Sequence, residues 1–190
     1  MRLENLIREI NEEMLRKIMD NRTVEEEETG RTAQIVGLAA IKYGDLSNQA
    51  SKDYVFDVDR FTSFEGNTGP YILYTIVRIK SILNKYQESG GTLESLGIRP
   101  AENEYEKALM LQVLRFNDVF DAVYEETAPH KLCAYIYELA NEFNKFYHET
   151  KILSEEDEEK RSGYISLLML AGRVLETCIG LLGFEAPERM

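Results

Sequence analysis

Apolar residues recur at helical spacing along most of this chain. Leu3, Leu6, Ile7, Ile10, Met14 and Ile18 form a stripe of period near 3.6, which predicts an amphipathic helix over residues 1–21. Thr23 followed by Glu26 reads as a capping box that opens a second helix, continuing through Ile35, Val36, Leu38 and Ile41 and stopping near Gly44. Residues 45–65 break the period. There Tyr54-Val-Phe-Asp-Val58 is short, β-prone and bounded by polar residues, so a mostly extended excursion is expected, without a sheet. Helical spacing resumes over 70–86, with Ile72, Leu73, Ile76, Ile79 and Leu83 facing inward. Thr68 supplies a capping hydroxyl, and Pro70 suits the first turn, where its missing N–H costs nothing. A loop over 89–100 precedes a fourth helix at 102–124, expected to bury Leu109, Val113, Leu114, Val119, Phe120 and Val123. Pro129 starts a fifth helix, which buries Leu132, Tyr135, Ile136, Leu139, Phe143 and Phe146. Ser154 with Asp157 caps a sixth, running through Ile165, Leu168, Met169, Leu175 and Ile179 to Gly183. The expected fold class is all-α: a helical bundle with an N-terminal helical segment packed on or beside it.

Composition narrows the functions open to such a bundle. The 190 residues, 44% of them hydrophobic, suffice for one sizeable core, or for one domain with a helical extension. No apolar run approaches the roughly 18 residues that span a bilayer, and the polar N-terminus is no signal peptide. Cys133 and Cys178 lie far apart inside apolar helical patterns and read as buried free thiols, in keeping with a reducing cytoplasm. A net charge of −12 argues against nucleic-acid binding through a broad basic surface. The acids concentrate in residues 25–28 and 155–159, as solvated helix starts, while Lys80, Lys85, Arg115, Lys131, Lys145 and Lys151 are candidates for a local basic face.

The candidate chemistry lies on the third helix. Tyr71, Tyr74 and Arg78 follow at i, i+3 and i+7 and so share one stripe. Aromatic residues at helical spacing are usually core filling. Here the aliphatic face is already complete, and arginine is rarely fully buried, so a partly exposed stripe fits better. Tyrosine faces and a guanidinium plane are what proteins use to stack on splayed-out RNA bases. They also suit protein hot spots, which keeps a non-catalytic helical protein-interaction module as the alternative. Other chemistry is excluded. Counted as a calcium loop from Asp57, the chain puts Phe61 and Thr62 at the fifth and sixth positions, which breaks the pattern. His130 and His148 make no ligand pair, no Cys–His spacing suits zinc, and Gly66-Asn-Thr-Gly69 is too short for a phosphate loop. No nucleophile–base pattern is present, so no catalytic residue and no metal ligand is assigned.

The stretch from Gly66 to Leu83 resembles bacterial arginyl-tRNA synthetase, as do Lys42-Tyr-Gly-Asp-Leu-Ser47, Asp53-Tyr-Val-Phe-Asp-Val-Asp59 and the closing Leu182-Gly-Phe-Glu-Ala-Pro-Glu-Arg-Met190. The resemblance covers essentially the whole chain and implies the C-terminal, tRNA-binding part of a class I synthetase, with a DALR-type anticodon-binding bundle. It implies a helical connector at 1–47 following an absent catalytic domain, an extended loop segment at 48–65 and the bundle itself at 66–190. The positions matching Tyr71, Tyr74, Arg78, Tyr147 and Met190 are then tRNA-binding, forming the pocket for the middle anticodon base. Every arginine anticodon has C in the middle, so the pocket needs acceptors for an exocyclic amine, and the Met190 carboxylate is one candidate. Lys151 and Gly69 depart from the family pattern, beside the proposed contacts and not among them. The family's His-Ile-Gly-His-like and Lys-Met-Ser-Lys-Ser-like elements are missing, and Leu3-Glu-Asn-Leu-Ile7 resembles sequence that follows the second. The expectation is a fragment without aminoacylation activity of its own and without a cofactor, ATP and Mg belonging to the absent domain. Its implied partners are the anticodon stem-loop of arginine tRNA and that catalytic domain, in the cytoplasm, with neither membrane nor DNA.

Overall fold

The computed structural model describes residues 2–21, 26–94 and 97–190, and among them it contains helices and no strand. The helices are α1 (Leu3–Asn21), α2 (Glu26–Leu46), α3 (Val58–Phe61), α4 (Gly69–Glu88), α5 (Glu104–Leu114), α6 (Phe116–Glu126), α7 (Pro129–Glu149) and α8 (Glu158–Leu181). Thr23 of the capping box expected before α2 lies outside the described residues. One hydrophobic core runs from Ile10, Met14 and Ile18 of α1 through α2, α4, α5, α7 and α8 to Phe184. α1 packs on α2, α2 on α4, and α4 on α7 and α8, while α5 and α6 close the far side of α7.

α8 contains a stretch long and apolar enough by composition to cross a membrane. Yet 61% of that apolar stretch is buried inside the bundle, as expected of a helix enclosed by neighbours. Its start departs from expectation: Asp157 alone caps it, accepting from the backbone N–H groups of Glu159 and Lys160, while Ser154 sits in the preceding turn. Its end matches. Gly183 adopts φ +80°, and the amides of Gly183 and Phe184 return to the carbonyls of Gly180 and Ile179. This is the Schellman arrangement, which glycine adopts without a Cβ clash.

Two further expectations need correction. The excursion at 45–65 contains a helical turn, α3, capped by Asp57, which accepts from the Arg60 N–H. That turn drives Phe61 into the core beside Gly44 and the Phe56 ring, so a local hydrophobic anchor overrides the β-prone run. The single helix at 102–124 is two helices, meeting at Arg115. The bend aims Leu109 and Val113 into the core but leaves Leu114 74% and Phe120 38% exposed, with Val119 and Val123 only half-buried. None of these four fills the core as its spacing suggested.

Candidate nucleic-acid interface

Local sequence fixes the phase of α4. The Thr68 hydroxyl accepts from the Tyr71 amide at 3.2 Å and donates to the Ser63 carbonyl at 2.6 Å, pinning the helix start to the loop before it. Gly69 permits a close approach to α2: a Cβ there would stand 2.6 Å from the Ala39 carbonyl carbon and 3.0 Å from the Ala40 nitrogen. With α4 so placed, its flank beyond the aliphatic face meets the later turns of α7.

Tyr74 and Tyr147 are 40% and 38% exposed, and Tyr71 and Arg78 are half-buried. The Arg78 guanidinium carbon lies 4.7 Å from the Tyr74 ring centroid and 5.0 Å from that of Tyr147, within cation–π range of both. Phe143 stacks behind Tyr147 at 6.1 Å. Asn144 sits at the centre of the polar contacts. Its Oδ1 accepts from Arg78 Nη1 at 2.6 Å, and its Nδ2 donates to the Tyr71 hydroxyl at 2.9 Å and to Thr75 Oγ1 at 3.2 Å. Tyr71 in turn donates to Asn141 Oδ1 at 2.7 Å. Burial, with the nearby Tyr137 hydroxyl adding to it, raises the Tyr71 pKa above its ordinary value, so the phenol remains a donor.

The structure therefore brings Tyr71, Tyr74, Arg78 and Tyr147 onto one edge formed by α4 and α7. Met190 is half-buried against the core, and among the described residues no hydrogen bond, ion pair or ring contact joins it to that edge. Its tail is anchored nearby: Glu188 meets Lys80, two residues past Arg78, at 3.0 Å, and Glu176 meets the same lysine at 3.2 Å. Two asparagines outside the sequence-predicted set belong to this edge. Asn141 and Asn144 lie three apart on the flank of an apolar helix, where an amide needs a partner, and that spacing was their signal.

The local basic face does not form as anticipated. Lys80, Arg115, Lys131 and Lys145 each hold a carboxylate, from Glu176 and Glu188, Glu138, Glu126 and Glu142 respectively. What the edge offers is aromatic and amide surface around one guanidinium. Among the described residues no group of three or more His, Cys, Asp or Glu side chains is placed to hold a metal ion. Both cysteines are free and buried, and burial pushes each thiol up to about 12.

Comparison with known proteins gives this edge its context. Residues 72–190 match the family described as DALR anticodon binding domain, and residues 1–58 match tRNA synthetases class I (R), catalytic domain. The arginine–tRNA ligase of Agathobacter rectalis is 62% identical over all of this chain, which covers 33% of that protein. The arginine–tRNA ligase of Alkaliphilus oremlandii is 51% identical, with 100% of this chain and 32% of the relative covered. Thermus thermophilus arginyl-tRNA synthetase superposes with a TM-score of 0.90 at 29% identity, over 100% of this chain and 32% of that one. The chain thus spans about a third of the length of the curated relatives it matches. It belongs to the DALR anticodon-binding domain family, in the form found in arginine–tRNA ligases.

Proposed function

We propose that the α4–α7 edge receives the anticodon arm of arginine tRNA, within an enzyme that attaches arginine to that tRNA using ATP in the cytoplasm. The observation that carries this reading is the half-exposed stack of Tyr74, Arg78 and Tyr147, held in place by Asn144, in a chain of an anticodon-binding family. Its aromatic faces suit an unstacked base. Arg78 gives one N–H to Asn144, leaving further guanidinium donors for the O2 and N3 acceptors of cytosine. Uracil carries a donor at N3 and would face those donors unfavourably, which is the proposed basis for selecting the middle anticodon C. Tyr71 and Met190 complete the pocket in this reading. With a net charge of −12, stacking and base-edge hydrogen bonds supply much of the affinity, and phosphate attraction supplies less.

Contacts remote from the reacting end position it, so an anticodon grip contributes to rate as well as to affinity. In this reading ATP and its metal are bound by parts of the enzyme outside this chain, and residues 1–58, which match the catalytic-domain family, join the anticodon grip to them. Tyr74→Ala tests the reading. It removes a stacking face worth about 1–3 kcal/mol and should weaken binding of an arginine anticodon stem-loop accordingly, while Tyr74→Phe keeps most of the affinity. Equal binding by Tyr74→Ala and the unsubstituted chain would remove Tyr74 from the interface.

A further inference from the structure

We infer that the groove between α5 and α7 is a second recess for the same RNA loop, taking an unpaired base that carries an exocyclic amino group. The inference rests on the anticodon-arm reading and extends it to residues outside the Tyr74–Arg78–Tyr147 stack. The groove has a volume of about 650 Å³ and begins where the stack ends, since Tyr71 and Asn144 line both. A loop base seated on the stack therefore brings its neighbours to the mouth of this groove.

Tyr105 stands on the opposite wall, 42% exposed, in the first turn of α5. That turn is rigidly set. Asn103 caps it by accepting from the Glu106 amide at 2.8 Å, and the buried Glu106 carboxylate accepts from the Glu102 amide at 2.8 Å. Among the described residues Tyr105 has no ring or hydrogen-bond partner, so a base can stack on it without displacing an existing contact. The groove also carries base-edge chemistry. Asn141 accepts the Tyr71 hydroxyl with its oxygen, and its amide N–H groups remain to donate. Glu138, Glu142 and Glu149 border the groove beside Lys145 and His148; Glu138 holds Arg115 and Glu142 neutralises Lys145, whereas Glu149 has no ion-pair partner among the described residues. Carboxylates accept from amino groups and repel phosphate, so a base edge enters here and the backbone stays outside. Adenine, cytosine and guanine carry the amino group; uracil does not.

The test uses arginine anticodon stem-loops that each lack one loop base, bound to the 190-residue chain and to Tyr105→Ala, Tyr105→Phe and Tyr74→Ala at one fixed salt concentration. Deleting one loop base other than the middle anticodon base should weaken binding to the unsubstituted chain about ten-fold. Tyr105→Ala should show that loss with the intact loop and no further loss when the base is deleted. Tyr105→Phe should behave as the unsubstituted chain, and Tyr74→Ala should keep the penalty at this position. If Tyr105→Ala binds every loop like the unsubstituted chain, or loses affinity for all of them equally, the second recess is overturned while the Tyr74 site stands. If no stem-loop binds, both the anticodon reading and the recess fall, and the edge is left to a protein partner.

Discussion

Asn144 ties α7 to three residues of α4. One amide joins Arg78, Tyr71 and Thr75, so its oxygen and its nitrogen are both in use. Asn144→Ala should lower stability by about 1–3 kcal/mol, because the hydroxyl of buried Thr75 and the guanidinium each lose a partner. It should also weaken stem-loop binding by releasing Arg78 from its place beside Tyr74 and Tyr147. Chemical denaturation and binding titrations read the two effects separately, and unchanged binding would show that Arg78 keeps its position without the amide. The sequence disclosed Tyr71, Tyr74 and Arg78 because they repeat along one helix. Asn144 was hidden in the run Phe143-Asn-Lys-Phe-Tyr147, since its partners come from another helix and local spacing does not reveal a crossing point.

At the level of elements, helix caps and close contacts decide where the edge stands. Gly69→Ala would place a Cβ against the α2 backbone at Ala39 and Ala40, where no flexible side chain can yield. The start of α4 must shift, and a destabilisation of about 1–3 kcal/mol in denaturant unfolding is expected; an unchanged midpoint would show that α2 and α4 separate freely. Asp157 makes the start of α8 sensitive to acid. The hydrogen bond from the Lys160 amide, joined by one from the Glu159 amide, holds its carboxyl below the ordinary 3.8 against the opposing effect of desolvation. A folded pKa below the unfolded one gives stability that is present above 3.8 and is lost as pH falls through the lower, folded value. Asp157→Asn should therefore show a shallower loss of stability below that point, and parallel acid profiles for the two proteins would contradict the cap's ionic contribution. Most elements were legible because apolar spacing and caps agree, as at Thr68 and Gly183. The bend at Arg115 was not, since neither proline nor glycine marks it and the apolar period runs straight through. α3 leaves no sequence signal of period because a single turn is too short to show one, although Asp57 is present as its cap.

In the molecule as a whole, the core is continuous from α1 to Phe184, so the residues that match the catalytic-domain family and those that match the anticodon-binding family pack together. That continuity gives the α4–α7 edge a rigid support. Lys42 of α2 donates to the Gly183 carbonyl at 2.6 Å, and the Tyr43 hydroxyl lies 2.5 Å from Asn67 Oδ1 and 2.9 Å from the Cys133 carbonyl. The chain is acidic and four of the six candidate basic residues are already paired, so the proposed function puts specificity in base recognition and not in phosphate attraction. The most direct measurement compares this chain's affinity for an arginine anticodon stem-loop with its affinity for the same loop carrying U in place of the middle C, at one low salt concentration. The account predicts tighter binding of the C-containing loop, and equal binding of the two would contradict it.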